Sequence, residues 1–121
     1  MDTQLINATP HAVTFSGVID GQPQMITIPP SGINCRVDTE SHSRGMIDGY
    51  IPIQKQVYGR INHLPERQPN THIIVSGLVL HAMRIQGMER DDVIAPATGP
   101  RDNALRDNDG RILAVALFNT P

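Results

Sequence analysis

Proline and glycine interrupt this sequence throughout, and they limit what it can fold into. Ten prolines and ten glycines occur among 121 residues. Proline cannot donate a backbone hydrogen bond and both residues weaken a helix interior, so only short elements are expected. Tight-turn signals separate runs that are rich in β-branched residues. The pattern predicts an α+β fold, with a mainly antiparallel β-sheet, one central helix and a C-terminal β-hairpin.

The predicted elements follow from these signals. A first hairpin is expected from residues 12–16 and 25–28, with Asp20-Gly21 as its turn. A third strand is predicted at 33–37, and residues 38–49 are predicted as a polar loop or a short edge strand. The apolar run 73–75 suits a strand buried on both faces. A helix is predicted over 77–86, with Ser76 as its N-cap and Gly87 as its C-cap. The last hairpin is placed at 104–105 and 112–118.

Length and charge limit the class of protein. A chain of 121 residues fits a single domain, residues 1–121. The formal net charge is −2, which lacks the basic excess that binding of a nucleic acid polymer requires. Charged residues are only 18% of the chain. Neutral surface can be buried between copies at low desolvation cost, so we expect a homo-oligomer.

The single cysteine and the apolar pattern bear on location. Cys35 has no second cysteine with which to form an intramolecular disulfide. Residues 1–4 contain no basic segment of the kind that opens a secretory signal. No apolar run reaches the ~18 residues of a membrane span. We therefore expect a reducing, aqueous compartment and no membrane partner.

Residues that would indicate catalysis or metal binding lack their usual context. The five histidines are not paired at metal-ligand spacing, and we expect no metal and no cofactor. Cys35 has no base beside it in the sequence. Ser76 lacks the flanking glycines of a nucleophile elbow. The sequence gives no positive reason to predict an enzyme.

An arginine cluster gives the clearest indication of ligand binding. Arg106 and Arg111 lie in one turn-rich segment with Arg101, and Arg36 lies on a predicted strand. A guanidinium pairs with phosphate through two parallel hydrogen bonds. Acidic and amide side chains that could bind ribose hydroxyls include Asp91, Asp92 and Asn103. The alternative is that these arginines form surface ion pairs with nearby aspartates, worth about 0–1 kcal/mol each.

An ordered set of short motifs resembles a group of small bacteriophage proteins. These are Asn7-Ala8-Thr9-Pro10-His11, Pro29-Pro30-Ser31-Gly32 with Cys35-Arg36-Val37, Ile74-Val75-Ser76, Arg90-Asp91-Asp92-Val93, and Arg106-Asp107 with Gly110-Arg111-Ile112. The set spans almost the whole chain and resembles the Thoeris anti-defence sponge family.

The resemblance implies a function and a set of site residues. Sponges of this family bind cyclic ADP-ribose isomers made by host TIR-domain sensors, do not cleave them, and assemble as homo-oligomers. Some relatives also capture cyclic oligonucleotides, so the resemblance leaves such a ligand open as well. The implied setting is the host cytoplasm. With the arginine cluster, it gives the expected ligand-binding residues: Arg36, Ser76, Arg90, Asp91, Asp92, Asn103, Arg106, Arg111 and Phe118. Phe118 or Tyr58 would replace the family's stacking ring, since the helix carries Ala82 and Met83 there. The alternatives are a structural or accessory virion protein and, third, a nucleotide hydrolase.

Overall fold

The elements confirm an α+β fold that is mainly β and has one helix. The computed structural model describes residues 3–121, so Met1 and Asp2 of the N-terminus assessed above lie outside the described residues. In chain order the elements are β1 (Gln4–Asn7), β2 (Val13–Ile19), β3 (Gln22–Ile28), β4 (Arg36–Ile47), β5 (Ile51–Asn62), β6 (Thr71–Ile74), α1 (Gly77–Ile85), β7 (Val93–Pro96), β8 (Leu105–Arg106), β9 (Ile112–Ala114) and β10 (Phe118–Asn119).

The hydrophobic core lies between α1 and a four-stranded sheet with the order β1-β6-β7-β10. The sequence predicted that the sheet behind the helix is antiparallel, but two of its three strand pairings are parallel. β1 pairs with β6 in parallel, β6 with β7 in parallel, and only β10 runs antiparallel to β7. A helix that connects two neighbouring strands returns the chain to the same end of the sheet, which makes them parallel. The run Ile73, Ile74 and Val75 is fully buried, as predicted.

Helix α1 forms where the sequence predicts it. The Ser76 hydroxyl accepts a hydrogen bond from the Val79 amide at 3.2 Å, which satisfies one of the free amides of the first turn. Gln86 is the C-cap, and Gly87 follows it at φ +70°. Glycine adopts this left-handed conformation without a steric cost. Val79, Leu80, Ala82 and Met83 are buried, so one side of the helix packs against the core while the opposite side is exposed.

The first hairpin confirms its prediction. β2 and β3 pair in register from Val13–Ile28 to Ile19–Gln22. Asp20 and Gly21 form the turn with φ of +52° and +77°, the left-handed pair that suits the twist of a two-residue hairpin. The hairpin is tied to the C-terminal segment, because the Ser16 amide donates to the Val115 carbonyl at 2.8 Å.

The prediction for residues 33–49 was wrong in its boundaries. The third strand begins only at Arg36, and β4 runs through the predicted loop as far as Ile47. Together β4 and β5 form a long two-stranded ribbon in which every residue from 38 to 57 is exposed. Polar side chains do not interrupt a ladder when both of its faces are open to water, so the composition of this segment did not show that it is a strand.

The predicted C-terminal hairpin forms from β8 and β9. Its second arm is shorter than expected, because Phe118 belongs to β10 and pairs with Pro96 of β7. The ring of Phe118 lies 6.4 Å from that of Phe15. Phe118 therefore joins the central sheet to the first hairpin.

In the described part of the chain, none of the structure's helical segments has the length and apolar character needed to cross a membrane.

Candidate functional site

A cavity of about 250 Å³ lies where β1 and β6 end and α1 begins. Because these strands are parallel, their carboxyl ends meet at one edge of the sheet, the usual position of ligand crevices in such sheets. Thr9 and Pro10 follow β1, and Ser76 follows β6. The lining residues are Thr9, Pro10, Asn34, Cys35, Arg36, Val37, Ser76, Leu78 and Val79.

The helix gives this cavity a positive end. The first amides of an α-helix have no intrahelical acceptor and carry the positive end of its dipole. The Ser76 hydroxyl accepts a hydrogen bond from the Val79 amide at 3.2 Å. No acidic side chain occupies the first turn, so the sequence supplies no negative charge of its own to this end of the helix.

Arg36 adds a full positive charge to the same cavity. It is the first residue of β4, and its position on the strand brings it beside Asn34. With the Asn34 amide oriented so that its oxygen faces the guanidinium, Arg36 Nε and Nη2 donate to it at 2.8 and 2.9 Å. A guanidinium has five N–H donors, so further donors remain for a ligand.

Cys35 lies between Asn34 and Arg36 and contributes an uncharged wall. Its side chain is buried, and burial raises the pKa of the thiol to about 11. The thiol is therefore protonated at neutral pH. None of the lining residues carries a carboxylate, and Arg36 is the only formal charge among them. This electrostatic arrangement favours an anion.

Two of the expected site residues, Asp91 and Asp92, line a second cavity of about 550 Å³, and Arg90 is hydrogen-bonded to Asp92. Arg90 donates to both carboxylate oxygens of Asp92 at 2.7 and 2.8 Å, and also to the Pro65 carbonyl at 3.0 Å. The hydrogen bond from Arg90 is the main cause of the lowered pKa of Asp92. Asp91 accepts from Arg67 at 2.6 Å. Arg90, Asp91 and Asp92 are therefore all engaged in hydrogen bonds with other residues of this chain.

The remaining expected residues line neither of these two cavities. Arg106 donates to the Gly110 and Thr98 carbonyls at 3.0 and 2.8 Å, so it fastens the β8–β9 hairpin to the preceding loop. Arg111 and Asn103 are exposed. Phe118 packs on Phe15 as described above. Of the nine expected residues, the structure brings Arg36 and Ser76 into the cavity at the start of α1 and places the others apart from it.

Thr9 and Asn34 line the cavity but were not among the expected site residues. The signal was available, since Thr9 follows the first strand and Ser76 follows the strand before the helix. It becomes informative only if the two strands are parallel, whereas the sheet was expected to be antiparallel.

Residues 3–121 hold no cluster of metal-binding side chains. In this range, no three histidine, cysteine, aspartate or glutamate side chains are placed to hold a metal ion. Among the same residues, His72 Nδ1 is the buried side-chain polar atom without a hydrogen-bond partner. It belongs to a residue that lines the second cavity.

Comparison with known proteins gives no further guide: no protein family, curated protein or solved structure matches this chain.

Proposed function

We propose that this chain binds a small phosphate-bearing ligand of the nucleotide class and holds it without transforming it. One observation carries the proposal. The cavity at the start of α1 combines a helix N-terminus with the Arg36 guanidinium and has no carboxylate in its lining. Backbone amides and a nearby arginine are a common means of binding phosphate in proteins.

The size of the cavity limits what it can enclose. Ligand pockets commonly have volumes of about 300–1,000 Å³, and this cavity has about 250 Å³. It is therefore sized for a phosphate group and its nearest atoms. The rest of a nucleotide would extend over the rim, which Leu78 and Thr9 help to form.

The resemblance to Thoeris anti-defence sponges suggests the ligand and the setting. A phage protein that sequesters a cyclic ADP-ribose isomer in the host cytoplasm needs only equilibrium affinity. It does not need to stabilise a transition state. A sub-micromolar dissociation constant corresponds to about −8 kcal/mol, which a few charge-assisted hydrogen bonds together with rim contacts can supply.

Thermal unfolding with defined ligands tests the proposal. Cyclic ADP-ribose isomers, ADP-ribose and adenosine would each be added to the wild-type chain and to Arg36→Gln and Ser76→Asp. At about 100 times the dissociation constant, a ligand adds ~2.7 kcal/mol of stability and raises Tm by roughly 10 °C. We expect this shift for a phosphate-bearing ligand with the wild type, and none with adenosine.

The two variants and a control locate the site. Arg36→Gln removes the charge, and Ser76→Asp keeps a capping oxygen but adds a carboxylate, so both should lose the shift. Arg111→Gln removes an exposed guanidinium outside the cavity and should keep it. If Arg111→Gln alone loses the shift, the hairpin arginines form the site and the cavity does not. If no phosphate compound shifts the wild type, the proposed function is wrong.

A second candidate function, a structural or accessory virion protein, is supported by the exposed β4–β5 ribbon. Such a protein would co-purify with phage particles from an infected culture. A sponge would stay in the soluble fraction and release a nucleotide on heating.

A further inference from the structure

The second cavity, of about 550 Å³, lies at the edge of the central sheet opposite the cavity at the start of α1. Because β1, β6 and β7 are parallel, their amino ends meet at this edge. Thr3 precedes β1, Thr71 begins β6 and Asp92 precedes β7, and all three line the cavity. Its volume is in the range of small-molecule pockets, and its walls are placed by the ends of paired strands.

The lining of this cavity is polar. Within residues 3–121, Pro69 is the only lining residue with an apolar side chain. The others carry hydroxyl, amide, imidazole, guanidinium or carboxylate groups. Such walls are hydrated when the cavity is open, and an occupant must replace the hydrogen bonds of the water that it displaces. The cavity therefore suits a small polar molecule.

Four charged side chains meet at one side of this cavity and alternate in sign. Arg90 donates to both oxygens of Asp92 at 2.7 and 2.8 Å. Arg67 Nη2 lies 3.9 Å from the same carboxylate, and Arg67 Nη1 donates to Asp91 at 2.6 Å. Two arginines and two aspartates give this cluster no net charge.

The outer two members of the cluster are the accessible ones. The side chains of Arg67 and Asp91 are 55% and 84% exposed, whereas that of Asp92 is 7% exposed. A guanidinium has five N–H donors and a carboxylate accepts several hydrogen bonds. Arg67 and Asp91 can therefore bind a ligand while they keep the bond between them, and the buried Arg90–Asp92 pair holds Arg67 in place by its charge.

We propose that this cavity binds a free α-amino acid as its zwitterion. The ligand's carboxylate pairs with Arg67, and its ammonium group pairs with Asp91. The two charges of an α-amino acid are roughly 3 Å apart, close to the 2.6 Å between Arg67 Nη1 and Asp91 Oδ1. Two such pairs side by side form a square of alternating charges. A ligand with one charge of either sign meets a like charge in the same pair, which disfavours it.

The rest of the cavity receives the side chain of the amino acid. Thr3 and Gln68 offer a hydroxyl and an amide there. A large aliphatic side chain would displace water from these groups without replacing its hydrogen bonds. Amino acids with polar side chains, such as L-serine or L-glutamine, are therefore preferred to L-leucine.

Titration calorimetry of the full chain with each of the twenty amino acids tests the proposal. At least one polar amino acid should bind with a millimolar or lower dissociation constant. Its N-acetyl derivative and its carboxamide each lack one charge, and both should bind at least about tenfold more weakly, because one charge-assisted hydrogen bond is lost. If no amino acid binds at about 10 mM, or if both derivatives bind as well as the parent, the proposal is overturned.

Two substitutions at accessible positions assign the two contacts. Arg67→Gln should bind the amino acid and its carboxamide equally, and Asp91→Asn should bind the amino acid and its N-acetyl derivative equally. The matched controls, Arg44→Gln and Asp48→Asn, remove the same charges from the exposed ribbon and should keep the wild-type affinity. Wild-type affinity in both cavity variants would place the amino acid elsewhere and overturn the proposal.

This site and the proposed phosphate site can fail separately. Arg36→Gln should leave amino acid binding unchanged, and Arg67→Gln should leave the thermal shift with a phosphate-bearing ligand unchanged. Inorganic phosphate should not compete with the amino acid. Competition that persists in Arg36→Gln would identify the second cavity as an anion site and would contradict the zwitterion proposal.

Discussion

At the scale of single residues, Asn7 shows that a motif can serve the fold and not a ligand. Its side chain is buried and makes four hydrogen bonds. Nδ2 donates to the His11 and Ile28 carbonyls at 2.8 and 3.0 Å, and Oδ1 accepts from the amide and hydroxyl of Thr9 at 3.1 and 2.6 Å. The Asn-x-Thr-Pro-His segment is therefore a turn held together by one amide.

Asn7→Ala should lower the free energy of unfolding by about 2–4 kcal/mol, because it leaves several buried polar groups without partners. Asn7→Asp keeps the acceptor but loses both donors, and should be comparably unstable. Urea unfolding measures both. Gln56→Ala, at an exposed position, should stay within about 0.5 kcal/mol of the wild type. An Asn7→Ala variant as stable as this control would show that the turn does not depend on the amide.

The Arg90–Asp92 pair should make stability depend on pH. The hydrogen bond from Arg90 lowers the pKa of Asp92 in the folded state. Asp92 therefore stabilises the fold fully above its ordinary pKa of about 4. The contribution is lost as the pH falls through the lowered, folded-state pKa.

Replacing Asp92 tests this linkage. Asp92→Asn should cost about 3 kcal/mol at pH 7, because Arg90 is left without its carboxylate. The cost should shrink as the pH falls below 4, where the wild type also loses the charge. Chemical unfolding across pH 2–7 measures both chains. A cost that stays constant over this range would mean that Asp92 does not carry the acid sensitivity.

At the scale of elements, α1 depends on its first turn because it has only nine residues. Helices of this length are marginal in water on their own. The Ser76 cap and the burial of one flank against the sheet both contribute to its stability.

Ser76→Ala should cost about 1 kcal/mol, through loss of the cap. Ser76→Asp should cost less, because aspartate caps well and its charge suits the helix dipole. Thermal unfolding with Ser41→Ala on the exposed ribbon as the control separates the cap from a general effect of serine loss. Equal stability of the alanine and aspartate variants would contradict the capping role. The same Ser76→Asp protein should be folded while failing to bind an anion, which distinguishes the two functions of this residue.

At the scale of the whole molecule, the rate at which the Cys35 thiol reacts measures how often the core opens. Cys35 is 4% exposed, and its pKa is raised to about 11. A thiol reagent requires both access and a thiolate, and the folded protein offers neither at pH 8.

The native protein should therefore react with a thiol-specific chromogenic disulfide at least 100-fold more slowly than the protein unfolded in guanidinium chloride. The absorbance of the released thiolate gives the rate. Because reaction requires opening, any ligand that stabilises the fold should slow it further. Complete reaction of the native protein during mixing would contradict the burial of this cysteine.

The sequence by itself determined the local elements. The Asp20-Gly21 turn, the buried run at 73–75, the Ser76 cap and the Gly87 stop each follow from the chemistry of neighbouring residues, and the α+β class follows from them. Local chemistry acts over a few residues and can be recognised without knowing the rest of the fold.

Only the tertiary structure decided which strands are neighbours and in which direction they run. The parallel pairing of β1 with β6 brings Thr9 and Ser76 together, and the start of β4 adds Arg36. The tertiary structure also shows that Arg90 and Arg106 donate hydrogen bonds to carboxylate and carbonyl groups of this chain. Strand pairing depends on contacts between distant segments, whose free energies are set by the whole core, so no local pattern specified the site.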